Sequence, residues 1–276
     1  YSNDYNKGVR GVGNLFAEAT ILKNFKAKTS FGLDAAYNQN TSFAPAYFVS
    51  PQQQNLLNTL TKGNNHNITW LLENTLSFNK QWRIHSIDVV AGYTMQKASS
   101  ENFSLTGKNI IRTSPDFWFF NPSLIYDLNG ISNGVDDNQN FSMISYLFRA
   151  NYTYKSKYIL TATYRHDGSS KFSSGNRYGN FPSFAAGWNV SKEHFMENFP
   201  VISNLKVRGS WGIIGNDKIA YDKQYSLTQT MITILGSPSS VNSATTYGVS
   251  GNPNLKWEST SQSDAGLEMG LLKSKL

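Results

Sequence analysis

Cysteine is absent from the 276 residues, which removes disulfide scaffolds, thiolate nucleophiles and cysteine metal sites at one stroke. Long apolar runs are missing too: mean hydropathy is −0.42, and no stretch approaches the roughly 20 residues that a helical membrane span needs. Acidic residues are outnumbered, with 18 Asp and Glu against 25 Lys and Arg for a net charge of +7. The cations never cluster in fives or sixes, and that dispersion argues against nucleic-acid binding. Histidine is scarce, and His66, His85, His166 and His194 lack the H-E-x-x-H or close paired spacing of a zinc site. The glycine-rich GVRGVG at residues 8–13 has no following Lys and Ser/Thr, so it reads as a turn or flexible entry and not as a phosphate loop. The opening YSNDYNKGVRGVGN carries no continuous apolar core of a secretory signal; if the protein is exported, the chain is expected to be processed or a fragment.

What is present is period-two alternation. Tyr146, Phe148, Ala150, Tyr152 and Tyr154 fall on one face of a run whose other face holds Leu147, Arg149, Asn151 and Thr153, as in a strand. After Lys155, Ser156 and Lys157, Tyr158, Leu160, Ala162 and Tyr164 oppose Ile159, Thr161, Thr163, Arg165 and Asp167, which predicts a hairpin around a tight turn. Tyrosines stand at both ends of the apolar face with smaller aliphatic residues between, the signature of aromatic girdles at two lipid interfaces.

The same pattern predicts a hairpin of residues 15–22 and 27–37, a second of 68–78 and 85–95, and strands near 184–190, 205–212 and 255–271. Long polar connections are expected at 38–67, 97–141 and 214–253, and a shorter one at 168–182. The link KEHFMENFPVISN has room for a helical turn. About nine strands thus alternate short and long connections, as bacterial outer-membrane barrels alternate periplasmic turns with extracellular loops. The expected fold is all-β, part of a transmembrane antiparallel barrel; a soluble sandwich has no reason to gather its long loops at one end.

Charges are costly in lipid. Lys26, Asp34, Glu73, Asp88, Arg149, Arg165, Lys206, Arg208, Glu258, Asp264 and Glu268 are therefore candidate lumen-facing residues, and their number implies a wall wide enough to enclose a channel or plug. Trp257, beside Glu258, is expected to face lipid. Trp118, Phe119 and Phe120, with Phe117, are candidate contacts of an extracellular loop: they could stack on sugars, or pack the loop against its neighbours or a lid protein. Asp136, Asn138 and Asn140 in DDNQN imitate the start of a calcium loop, but Phe141 occupies the glycine position and Leu147 the terminal carboxylate position; a turn-rich loop is expected. No cofactor is expected and no catalytic constellation is visible.

Four ordered motifs carry a resemblance. RHDGSSKF (165–172), RYGNFPSFAAGWNVSKEHFM (177–196), ISNLKVRGSWGIIGN (202–216) and NPNLKWESTSQSDAGLEMGLL (252–272) closely resemble the barrel of the SusC/RagA-like TonB-dependent transporters of Bacteroidetes, and WLLENTLSFNK with HSIDVVAGYTMQK is similar to the same family. The resemblance implies a plugged 22-stranded barrel in the Gram-negative outer membrane, in contact with its lipid, importing a glycan or peptide with energy from TonB and capped by a SusD-like surface lipoprotein. Residues 1–276 are expected to be barrel only, with the plug outside this chain. Within the motifs, Asp167, Gly168, Ser169 and Ser170 are expected to shape a sharp turn after a strand, and Phe181 with Pro182 to start the next strand where no backbone donor is needed. A passive porin-like channel and a glycan-binding β-sandwich are the competing readings; the first would lack a plug, and the second would dissolve without detergent.

Overall fold

A computed structural model describes residues 3–110, 112–120, 132–220, 223–235 and 240–272; the side chains at 132–138 and 230–243 lie outside that description. The chain runs β1 (Asn3–Ile21), β2 (Phe25–Ala44), β3 (Tyr47–Ser50), β4 (Gln53–Asn55), β5 (Thr59–Trp82), β6 (His85–Lys108), β7 (Ser132–Tyr154), β8 (Tyr158–Ser169), β9 (Tyr178–Asn189), β10 (Ile202–Asn216), β11 (Leu227–Leu235), β12 (Ser240–Val249) and β13 (Glu258–Leu271). A nine-stranded sheet takes the order β1-β2-β5-β6-β7-β8-β9-β10-β13, while β3-β4 and β11-β12 are small separate hairpins. Among the described residues no helix is long and apolar enough to cross a membrane.

The strands are longer than their apolar alternation. β5 and β6 each hold 24 residues, whereas roughly 9–11 suffice to cross a bilayer as a tilted strand. Much of the expected connections 38–67 and 97–141 is therefore strand, and β11 and β12 occupy part of 214–253. In those extensions both faces are polar, as in YNQN of β2 and KGNNHN of β5, so alternation is silent although the backbone ladder continues. GVRGVG, expected to be a turn or flexible entry, lies inside β1, where Gly8 faces the Asn38 side chain. DDNQN likewise lies within β7 and not in a loop.

The chain divides into two compact units. The first comprises Tyr1–Leu15, Gly32–Leu71 and Lys97–Asn140. Its core is Phe43, Leu60, Ile110 and Trp118, with Phe120 packed against them. Buried Asn58 fastens the end of β6 to this core, donating to the Ile110 carbonyl (2.9 Å) and accepting from the Ile110 N–H (2.6 Å).

The second unit comprises Phe16–Phe31, Leu72–Gln96 and Phe141–Leu276. Its register is regular: Tyr154 pairs with Tyr158 across the β7–β8 turn, Tyr158 with Trp188, and Ser210 with Asp264 between β10 and β13. Lys155 and Ser156 both adopt left-handed φ, 52° and 55°, and the Lys157 N–H closes the turn on the Tyr154 carbonyl at 2.9 Å, the geometry that matches strand twist in a tight hairpin. The β9–β10 link forms two short 3-10 stretches, Val190–Lys192 and His194–Asn198, as its sequence suggested.

Candidate functional site

The second unit presents an apolar face bounded by two rows of rings. At the short-turn end, Phe25 meets Phe78 (4.7 Å), Trp82 meets His85 (5.4 Å), His85 meets Tyr154 (5.2 Å), Tyr154 meets Tyr158 (6.2 Å) and Tyr158 meets Trp188 (6.4 Å). At the other end, Tyr93, Tyr146, His166 and Tyr178 follow one another at 5.1, 6.2 and 4.9 Å. From Tyr154 to Tyr146 is eight strand steps, about 26 Å along the strand and about 20 Å along the normal at a 40° tilt. That is close to the roughly 25 Å apolar band of an outer-membrane barrel. Between the rows stand Ala150, Leu160, Ala162, Phe184, Ala186 and Trp211, the last two aromatic rings stacked at 6.2 Å.

Below the short-turn row the link is held by one carboxylate. Glu193 accepts from Lys157 Nζ (2.7 Å), Tyr158 Oη (2.8 Å) and Trp188 Nε1 (3.1 Å). Those three donors, the lysine first, pull its pKa down to about 2. Sequence reasoning missed it because its partners come from three separate elements.

The opposite face carries the candidate lumen residues, most of them compensated locally. Lys26 pairs with Glu18 at 2.8 Å. In the first unit, Asp34 takes a two-pronged contact from Arg10 at 2.9 and 2.6 Å. Glu73 accepts from Ser30 (3.4 Å), and Asp88 from Asn79 (3.2 Å) and Asn151 (3.4 Å). Lys206 and Arg208 share Glu268 at 3.8 and 3.5 Å, and Glu258 accepts from Asn216 at 2.8 Å. Five charged residues gather at one place: Arg149, whose Nε donates to Thr163 (3.1 Å), Arg165, which pairs with buried Asp167 (3.2 Å), Asp217 and Asp264 line a cleft of about 650 Å³ together with Ser210 and Gln262. The cleft holds charges of both signs and polar hydroxyls, suited to hydrogen-bonding a polar chain. No group of His, Asp and Glu among the described residues is arranged to hold a metal.

The four motifs converge beside this cleft. Ser169 is fully buried and donates to Asp217 at 3.3 Å, while Lys171 reaches the same carboxylate at 3.5 Å. Ser170 exchanges bonds with Ser142, its N–H donating to the Ser142 carbonyl and its Oγ accepting from the Ser142 N–H, both at 2.9 Å. Phe172, 1% exposed, lies 5.4 Å from the Trp257 ring, Phe181 lies 5.2 Å from it on another side, and Trp257 Nε1 donates to the Arg177 carbonyl at 3.0 Å.

Three expectations are corrected here. Trp257 does not face lipid: it precedes β13, so strand alternation does not govern it, and it turns onto Phe181 at the cleft. Gly168 is not a turn residue: it pairs with Ile144 and Tyr178 inside the sheet, and it is glycine because the Tyr178 ring lies 2.4 Å from where a Cβ would stand. Phe181 and Pro182 lie inside β9, where Pro182 pairs with Tyr164, so β9 begins earlier, at Tyr178. Asp217 and Lys171 were missed as partners, although Lys171 lies inside one recognised motif and Asp217 directly follows another.

In the first unit, Trp118 is 6% exposed, stacks on Phe43 at 4.8 Å and donates to the Thr113 carbonyl at 2.9 Å. Phe120 covers Gly107 and packs on the same core. These two hold the loop down. Phe119 is the exposed member of the trio, at 41%. Of the calcium-like triplet, the side chains of Asp136 and Asn138 lie outside the described residues.

Comparison with known proteins gives one answer at three levels. The sequence matches the family described as "TonB dependent receptor-like, beta-barrel" over residues 1–276. It is 33% identical over 244 residues to TonB-dependent receptor P26 of Formosa agariphila, covering 83% of this chain and 23% of that protein. It is 37% identical over 140 residues to TonB-dependent receptor SusC of Bacteroides thetaiotaomicron, covering 49% and 14%. The structure of the RagAB peptide transporter matches its fold with TM-score 0.86 at 20% identity, over 99% of this chain and 29% of that one. The chain spans about a quarter of the length of the first two receptors it matches. An outer-membrane strand wall with two ring belts and a polar reverse face, matched along its whole length by that family, belongs to the β-barrel of the TonB-dependent receptors.

Proposed function

We propose that the chain is one stretch of wall in a longer transporter that imports a large nutrient, glycan or peptide, across the outer membrane with energy relayed by TonB. The observation that carries this reading is the family match over 1–276 on a sheet whose two rows of rings stand about 20 Å apart along the normal, close to the apolar band of an outer-membrane barrel. The relatives' greater length supports a plug domain and further strands elsewhere in the protein. Likeness to SusC and to a RagAB component supports a SusD-like lipoprotein as the extracellular partner. The cleft lined by Arg149, Arg165, Asp167, Asp217 and Asp264 is turned to the lumen in this reading, where it meets the plug or passing cargo. Exposed Phe119 and the segments 38–67, 97–141 and 214–253 are the outer contacts.

The test is uptake by cells carrying the intact protein, measured with and without TonB and alongside conductance of the purified protein in planar bilayers. TonB-dependent uptake with a closed pore supports the reading. A constantly open pore and TonB-independent uptake would replace it with a passive channel.

A further inference from the structure

The four short connections hold five cations, Lys23, Arg83, Lys155, Lys157 and Lys192, and Lys80 adds a sixth at the adjoining end of β5, against two carboxylates, Glu193 and Glu197. Both carboxylates are already engaged, Glu193 by Lys157 at 2.7 Å and Glu197 by His194 at 3.0 Å. The other five cations make no ion pair among the described residues. They are not spread at random: all belong to the second unit and stand at the short-turn row of rings. Lys80 stands between Phe78 and Trp82 on one face of β5, and the Lys155 ammonium lies 5.4 Å over the Tyr154 ring. Arg83 adopts left-handed φ at 47° in the turn between Trp82 and His85, whose rings stack at 5.4 Å.

We propose that this rim selects anionic phospholipids in the periplasmic leaflet, its cations holding headgroup phosphates while the adjoining rings lie at the hydrocarbon boundary. Long cationic side chains interleaved with interfacial aromatics place their stems in apolar surroundings and their charges at headgroup level. Each such cation near an anionic bilayer surface adds attraction that salt screens within a Debye length. An acidic soluble partner would meet only the turn tips, whereas Lys80 is set back on β5 and the Lys155 ammonium folds back from its turn over the Tyr154 ring. The rim thereby fixes the height of the wall in the membrane from below, a role separate from cargo transport.

The experiment uses the intact protein reconstituted in nanodiscs of equal phosphatidylglycerol and phosphatidylcholine, with lipids retained on ejection counted by native mass spectrometry. The wild type is expected to retain phosphatidylglycerol preferentially, and the quadruple variant Lys80→Gln, Arg83→Gln, Lys155→Gln, Lys192→Gln to lose that preference by about tenfold or more. Raised salt should erode the wild-type preference in the same direction. Heat-modifiable migration of the variant checks that its barrel has formed, and a variant altering Lys62 and Lys97 instead, away from the short turns, should keep the preference. No preference in the wild type, equal preference in the quadruple variant, or equal loss in the control variant would overturn the proposal; the first of these would leave an acidic periplasmic protein as the rim's partner.

Discussion

Replacing Trp257 tests how the four motifs are joined. The indole touches Phe172 and Phe181 and donates one hydrogen bond to the Arg177 carbonyl. Two aromatic contacts contribute about 0.5–1.5 kcal/mol each beyond area burial, and the hydrogen bond about 1 kcal/mol. Trp257→Ala should therefore weaken the local junction by about 3 kcal/mol, while Trp257→Phe should cost nearer 1 kcal/mol. Because the segment Ser169–Tyr178 is clamped by this junction, its opening is expected to rise by about 10² in the alanine variant, at 1.4 kcal/mol per tenfold. Limited proteolysis of the intact protein, run where reclosing outpaces cleavage, reads that opening directly. Cleavage near 173–176 should follow the order wild type, Phe variant, Ala variant. Equal cleavage in all three, or a Phe variant as labile as the Ala variant, would refute the ring-packing account; the second result would assign the junction to the hydrogen bond alone.

Further outcomes follow from other contacts. Glu193 has its pKa lowered to about 2, so its stabilising bonds are present above the ordinary carboxylate pKa near 4.5 and fade as pH falls toward 2. The gap in thermal midpoint between wild type and Glu193→Gln should be widest above pH 5 and close through that window; a gap constant from pH 6 to pH 3 would contradict it. Ser156→Gly relieves a left-handed serine, φ 55°, and should raise stability by about 0.5–1 kcal/mol after glycine's entropy is deducted; a lowered thermal midpoint would refute the turn geometry. Gly168→Val would drive a Cβ into the Tyr178 ring, displacing it from His166 at a cost of about 1–3 kcal/mol, readable as an earlier loss of the heat-resistant band; an unchanged band would show the ring free to move.

The second unit was largely legible in the sequence because one of its faces is set in lipid. Tyr146 through Tyr164 alternate without interruption, and the pairs Tyr154–Tyr158 and Ala150–Ala162 form as the hairpin pattern requires. Legibility ended where both faces become wet: at Asn38 and Asn64 the strands continue, but no apolar stripe marks them, and Pro182 inside β9 misled the boundary. The polar face was foreseen as a set of charges but not as pairings. Arg10 with Asp34 and Ser169 with Asp217 join residues far apart in sequence, and only strand register brings them together. Trp257 was misjudged for a related reason, since alternation was extended one residue past the start of β13.

The most direct test of the whole account is a cysteine walk along β8 of the intact protein in outer membranes, for which this chain offers no cysteine background. Single cysteines at Leu160, Thr161, Ala162, Thr163, Tyr164 and Arg165 would be labelled with a lipid-phase reagent and with a small water-borne one. The account predicts strict alternation, with Leu160, Ala162 and Tyr164 reached from lipid and Thr161, Thr163 and Arg165 from water. Uniform water access at all six positions, or a period other than two, would contradict a membrane-spanning barrel wall.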